Sequence, residues 1–161
     1  MALVQRATDL GSWRFAWSLA DALRPYMMRR AYAADWLAVA SAGLVAAEAD
    51  GNPAGQATAH RSLSSAYLNR SDYEKSTFHD GRALELYRRT GSAEGQAATH
   101  NSLSLALWYG GRLEEALAHG LRGADLCRAT GFRLGEAITL GNPGAILHEL
   151  GRRPVCRSGL H

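Results

Sequence analysis

Apolar and small residues recur along the chain at the spacing of amphipathic helices, and short glycine-containing segments interrupt them. One apolar face runs through residues 103–107, and another runs through residues 113–117. Between them stands Gly110-Gly111-Arg112, a segment typical of a turn. This pattern predicts a helix, a turn and a second helix.

The helix–turn–helix unit repeats every 40 residues. Gly51, Gly91 and Gly131 each open the same pattern, in which a second glycine, a Gln or Glu and an alanine follow at fixed positions. Self-similarity at such a period is typical of stacked helical repeats. Glycine at each boundary fits a helix C-cap, because it enters the left-handed region without steric cost. Asp72 is a plausible N-cap for a second helix.

The period and its interruptions predict an all-α fold with one domain. We expect helices at 12–28, 33–50, 54–69, 72–90, 94–109, 112–130 and 134–150. They would form a right-handed solenoid over residues 1–151, made of about three helical hairpins and a partial C-terminal unit. The units span about 11–50, 51–90, 91–130 and 131–151, and an irregular basic tail follows at 152–161.

Two prolines fall inside predicted helices. Pro25 removes a hydrogen bond and clashes with the preceding turn, so we expect a kink or an early end of the first helix. Pro143 stands where Leu63 and Leu103 provide core contacts in earlier units. Because proline in a helix interior costs about 3 kcal/mol, the last unit is expected to be the weakest.

Six segments carry the fullest version of the repeat, at 17–26, 35–37, 55–57, 84–91, 111–118 and 135–137. They resemble tetratricopeptide repeats (TPRs), in particular the long TPRs at the C-terminal end of actinobacterial AfsR/SARP and NB-ARC-TPR regulators. The resemblance implies packing roles for Leu63, Tyr67, Ser76, Ala83, Leu103, Leu107, Ala116 and Gly123. It departs from the motif at Ser64 and Ser104, where glycine is usual. It implies a scaffold that binds a protein or peptide, as the protein-binding portion of a transcriptional or signalling regulator.

In stacked hairpins the first helices line a concave groove that can hold a peptide. Eight residues fall on this predicted partner-binding face: Arg61, Ser65, Leu68, Asn69, Asn101, Leu105, Trp108 and Tyr109. Trp108 and Tyr109 offer large contact area, either as anchors for a partner or, for one of them, as packing at the hairpin end. Arg61 and Asn101 are too few for the basic and amide set that TPR domains use to clamp a C-terminal carboxylate. We therefore expect an apolar peptide rather than such a tail.

Composition narrows the function further. The chain has 18 basic and 15 acidic residues, and its arginines are spread along the sequence instead of forming one stripe. Direct nucleic-acid binding is therefore not expected. Cys127 and Cys156 fit neither a disulfide framework nor a zinc spacing. Since no signal-peptide pattern or bilayer-length apolar segment occurs, we predict a cytoplasmic protein that does not associate with membranes.

No catalytic or metal-binding constellation stands out. His60 and His100, like His79 and His119, occupy equivalent positions in successive units. Successive helices pack roughly 8–10 Å apart, too far for such a pair to share a zinc ion at about 2.0–2.1 Å from each nitrogen. Leu140 fills the position of His60 and His100 in the last unit, so packing roles are expected. We predict no metal, no cofactor and no enzymatic activity.

A second hypothesis is a self-associating structural remnant of a truncated regulator, without a ligand of its own. The last unit lacks a second helix, so we expect Ile146, Leu147 and Leu150 to have less to pack against. A second copy of the chain could cover this C-terminal edge and form a homo-oligomer. A monomer that persists at every concentration would exclude this hypothesis.

Overall fold

The computed structural model describes residues 2–30 and 33–152, which form helices joined by short turns. The helices are α1 (Ala2–Asp9), α2 (Trp13–Arg30), α3 (Ala33–Ala49), α4 (Pro53–Asn69), α5 (Tyr73–Arg89), α6 (Ala93–Tyr109), α7 (Leu113–Ala129) and α8 (Arg133–Arg152). The all-α prediction is confirmed for these ranges, and each of the seven predicted helices is present. Their ends differ from the predicted ones by at most two residues. The predicted tail lies outside the described residues, apart from Arg152, which ends α8.

The repeated glycines have two different structural causes. Gly51, Gly91 and Gly131 adopt φ values of 61°, 70° and 71°, which confirms the left-handed C-cap prediction. The second glycine of the pattern is buried, because a neighbouring aromatic ring leaves no space for a side chain. A Cβ atom on Gly95 would lie 2.3 Å from Cδ1 of Tyr87. In each unit, therefore, the first glycine of the motif forms a turn and the second allows an aromatic ring to pack closely against the helix backbone.

Side-chain caps fix where the helices begin. The Asp72 carboxylate accepts a hydrogen bond from the backbone N–H of Lys75, which confirms Asp72 as an N-cap. Asn52 and Ser92 cap α4 and α6 in the same way, through the N–H groups of Gly55 and Gly95.

The helices pack in two layers. Each helix contacts the next one along the chain, and α2, α4, α6 and α8 also contact one another in sequence. Within the described residues, α3, α5 and α7 make no such contacts with one another. The layer of even-numbered helices is therefore the tighter side of the stack. Helix α1, which the periodicity did not predict, packs against α2 and α3 and buries Val4.

Most predicted packing positions are buried. Seven are confirmed as core positions: Leu63, Ser76, Ala83, Leu103, Leu107, Ala116 and Gly123. Tyr67 is half-buried. The two serines that replace glycine are fully buried and satisfy their hydroxyl groups. Ser64 Oγ lies 3.1 Å from Ser76 Oγ, and Ser104 Oγ donates to the carbonyl of Ala116 at 2.8 Å.

Both prolines lie within continuous helices. Helix α2 continues past Pro25 to Arg30, so the predicted early end is wrong. Pro25 faces solvent, where water can satisfy the carbonyl it leaves without a donor, and Met27 beyond it is buried beside Trp36. Helix α8 likewise continues through Pro143.

The glycine opposite Pro143 explains how α8 accommodates this residue. Pro143 is buried against Gly120 of α7, where a Cβ atom would lie 2.6 Å from the proline Cγ. Beyond it Ile146 is fully buried and Leu150 is half-buried, contrary to the expectation that both would have less to pack against. Leu147, at 54% exposure, meets that expectation.

Candidate functional site

A groove crosses the layer of even-numbered helices, with α4 and α6 at its centre. Arg61, Ser65 and Leu68 are spaced by four and three residues, so they share one face of α4. Leu63 and Ala66 point to another face and are buried in the core. The same division on α6 leaves Asn101 and Leu105 on the groove face. The amphipathic pattern of each helix therefore presents its polar and larger residues to one surface.

Seven of the eight predicted residues line this groove, which encloses about 400 Å³. They are Arg61, Ser65, Leu68, Asn69, Asn101, Leu105 and Tyr109. Helices α2 and α3 add Arg24, Met28 and Trp36, and α6 adds Ala98 and Ser102. A second cavity of about 180 Å³ shares Arg61, Ala98 and Asn101 with the groove and extends it to Phe132 and Thr139. One concave surface thus reaches from α2 to α8.

Trp108, the eighth predicted residue, does not line the groove. Its indole Nε1 donates a hydrogen bond to Glu149 Oε2 of α8 at 2.6 Å, and its ring packs beside the core cluster that contains Leu107 and Ile146. Tyr109 is 57% exposed and stacks on Trp108, with ring centroids 5.6 Å apart. Tyr109 is thus the aromatic side chain of this pair that faces the groove, while Trp108 joins α6 to α8.

The groove carries positive charge. Among the described residues, the lining of the groove between α2, α4 and α6 includes Arg24 and Arg61 and no carboxylate, whereas Glu94 lines its extension toward α8. Arg24 bonds to Asp21 at 3.3 Å, whereas the Arg61 guanidinium makes no hydrogen bond or ion pair with any residue in 2–30 or 33–152. Asn101 accepts a hydrogen bond from Asn142 through its side-chain oxygen, which leaves its amide nitrogen free to donate. Arg61 and Asn101 can therefore meet an anionic group together.

A fully buried carboxyl group lies close to this surface. Asp80 of α5 has no exposed area, and neither of its oxygens has a well-formed hydrogen bond within the described residues. Loss of hydration raises the pKa of Asp80 to about 7. The nearby hydroxyls of Ser64 and Ser102 and the charge of Arg61 act in the opposite direction, but they do not outweigh burial. Sequence analysis missed this residue, because an aspartate on a predicted helix is ordinarily solvated.

The four repeated histidines form two pairs that the sequence analysis did not anticipate. His60 Nδ1 lies 2.9 Å from His79 Nδ1, and His100 Nδ1 lies 2.9 Å from His119 Nδ1. Each pair joins the two helices of one hairpin, whereas the sequence comparison had considered histidines in different hairpins. The separation of 19 residues, which occurs twice, was the signal that could have revealed them.

Each pair is neutral at neutral pH. Burial, followed by the charges of His79 and Arg82, lowers the pKa of His60 to about 4. Burial and neighbouring positive groups lower the pKa of His100 to about 4 as well. With both rings neutral, one Nδ1–H donates to the other Nδ1, so the pairs act as polar links between helices.

No protein-family model matches the chain, and no curated protein is significantly similar to it. Across residues 2–30 and 33–152, no helix is long and apolar enough to cross a membrane. The same ranges hold no cluster of three or more His, Cys, Asp or Glu side chains arranged to bind a metal ion. Function is therefore inferred from the groove and its chemistry.

Proposed function

We propose that the chain is a non-catalytic scaffold of the TPR kind that binds a peptide segment of another protein in the groove between α2, α4 and α6. The observation that carries this proposal is the convergence of seven predicted residues, from two successive units, on one groove. A right-handed solenoid of 40-residue hairpins would present such a concave surface. The repeat segments support kinship with the TPR regions of AfsR/SARP and NB-ARC-TPR regulators, where the groove would hold a partner of the regulator.

The lining specifies the chemistry of the occupant. Met28, Leu68, Leu105 and Tyr109 offer apolar area at several points along the groove. Of the two arginines in the lining, Arg61 is the one whose guanidinium has no hydrogen bond or ion pair within the described residues. A bound segment that places apolar side chains against the first group and an acidic side chain against Arg61 would satisfy both. We therefore expect an extended peptide with apolar residues and one carboxylate.

Peptide selection followed by a matched pair of variants tests this function. Twelve-residue peptides enriched from a displayed library on the wild-type chain would be measured by fluorescence anisotropy. Leu105→Asp should weaken binding by about tenfold or more, since it places a charge in the apolar part of the groove. Leu121→Asp is the control, because Leu121 is an exposed leucine of α7 outside the groove. Selected peptides that bind both variants equally well would refute the groove as the binding site.

The role of Arg61 can be separated in the same assay. A double-mutant cycle would combine Arg61→Gln with replacement of the acidic residue in the selected peptide. We expect a coupling between the two changes of about 1 kcal/mol or more. Coupling near zero would contradict the proposed contact while leaving the groove itself untouched.

Self-association remains a second candidate, favoured by exposed leucines on the last helix. Leu140 and Leu147 are seven residues apart on one face of α8, with exposures of 41% and 54%. Light scattering over a range of concentrations would detect a dimer. A dimer that Leu147→Glu abolishes supports this function, and a wild-type monomer throughout excludes it.

A further inference from the structure

A furrow on the other side of α6 has a separate chemistry. No Cα atom of α5 lies within 8 Å of a Cα atom of α7, so α6 forms the floor between these two helices. The furrow encloses about 500 Å³. Its polar lining is Arg88 from α5, Gln96 and His100 from α6, and Arg122 and Asp125 from α7.

The guanidinium groups of the two arginines have no partner among the described residues. Neither the Arg88 nor the Arg122 side chain makes a hydrogen bond or ion pair within 2–30 or 33–152. The carboxylate of Asp125 is already engaged, because Arg128 donates to it at 3.0 Å. Two cations from different helices therefore share one cavity, and the carboxylate in its lining, Asp125, is bonded to Arg128 instead of to either of them.

The charges of Arg88 and Arg122 both act on His100. After burial and His119, the charges of Arg88 and Arg122 are the causes that lower the pKa of His100. Arg122 and Arg88 also act on His119, its partner across the hairpin. Both guanidinium groups thus lie close enough to the histidine pair to act on it electrostatically.

The preceding unit provides a natural comparison. It has the same histidine pair, His60 and His79, at the same 2.9 Å separation. Glu48 stands in the position of Arg88, and Arg82 stands in the position of Arg122. The guanidinium of Arg82 bonds to Glu85 at 2.8 Å. The equivalent positions of that unit thus hold one arginine and two carboxylates, whereas the furrow between α5 and α7 holds two arginines and one carboxylate.

We propose that this furrow is an oxyanion site that binds a phosphate group, with Arg88 and Arg122 as its two ligands and His100 beside them. Guanidinium groups match the oxygens of phosphate in pairs, and two from separate helices would enclose the group from both sides. Removing either arginine should weaken binding by about tenfold or more, as expected for a charge-assisted hydrogen bond. This proposal does not depend on peptide binding in the groove.

Histidine NMR tests the site directly. The full chain with ¹³C-labelled histidines would be titrated with inorganic phosphate at constant ionic strength, with chloride as the replaced anion. We expect saturable shifts of the His100 and His119 ring signals and none of His60 and His79. Arg88→Gln and Arg122→Gln should weaken the response, whereas Arg82→Gln, the matched control, should not. All three arginines are exposed, so folding should be unaffected, and thermal melts would verify this.

The same titration distinguishes the sources of the phosphate group. O-phosphoserine and a nucleoside monophosphate would be compared with inorganic phosphate, and the tightest would identify the class of ligand. Shifts that do not saturate, or that are equal in both histidine pairs, indicate an adventitious ion only and overturn the proposal. Saturable binding that survives both arginine changes would also overturn it.

Discussion

Asp80→Asn tests the energetic effect of burying a carboxyl group beneath the groove. In the unfolded chain Asp80 has its ordinary pKa of 3.8, and in the folded chain burial raises that pKa to about 7. The folded state therefore binds a proton more tightly than the unfolded state. Because the unfolded chain releases this proton first, the free energy of unfolding falls as pH rises from about 4 to about 7. Above pH 7 both states are ionised and this contribution stays constant.

The two pKa values set the size of the effect. The gap between 3.8 and about 7 corresponds to about 4 kcal/mol of stability lost at high pH, of which about 3 kcal/mol is lost between pH 5 and pH 8. Asparagine has nearly the same shape and no charge, so Asp80→Asn removes this dependence. The variant should therefore gain about 3 kcal/mol relative to the wild type when pH rises from 5 to 8.

Urea unfolding followed by circular dichroism would measure the free energy of unfolding of both proteins at several pH values between 5 and 8. The histidine pairs have lowered pKa values, which change the free energy of unfolding in the opposite direction over part of the same pH range. Their contribution is the same in both proteins, so it cancels when the free energy of the variant is subtracted from that of the wild type. Equal m-values would show that the change acts on stability alone. If the two stabilities stay parallel from pH 5 to pH 8, Asp80 does not carry the raised pKa and the reasoning fails.

Three further predictions concern single features of the fold. Ser71 adopts φ of 60°, where equivalent Gly111 has 80°, so Ser71→Gly should raise the free energy of unfolding by up to about 1 kcal/mol in urea unfolding. Trp108→Ala should lower the free energy of unfolding by about 2 kcal/mol. Tyr109→Ala should change that free energy by less than about 0.5 kcal/mol and should instead weaken the binding of a selected peptide. The ring of His60, with its pKa near 4, should remain neutral at about pH 6 in ¹³C NMR spectra and become charged only as pH falls toward 4.

The helix positions could be predicted because the same sequence pattern recurs in each 40-residue unit. Three boundary glycines in the same register fixed the turns, and each then adopted the left-handed conformation that made glycine necessary. Ser71 shows where this rule relaxes, since its turn has the same backbone shape without a glycine. Helix α1 was missed because it lies outside the repeat and its buried apolar residues are only Val4 and Ala7 among those described.

The candidate site was predictable for the helices in the middle of the stack and less so at its end. The groove residues could be predicted because they lie on the helix face opposite the core residues Leu63 and Leu103, and helical periodicity separates these two faces. Trp108 and Tyr109 differ by one position, about 100° around the helix, so periodicity placed both near the groove edge. The hydrogen bond to Glu149 decides between them, and that contact spans 41 residues. Asp80 and the histidine pairs likewise depend on contacts between helices.

Differences between successive units would fix the register of a peptide in the proposed groove. Positions that hold the helices together are nearly the same in each unit, such as Ala57 and Ala97 or Ala66 and Ala106. Positions that face the groove in both units differ in every pair: Arg61 and Asn101, Ser65 and Leu105, Asn69 and Tyr109. A peptide shifted by one unit would therefore meet a different order of charge and apolar area. The packing positions repeat from unit to unit, so they would stabilise the fold. The groove side chains do not repeat, so they would give the proposed complex its specificity.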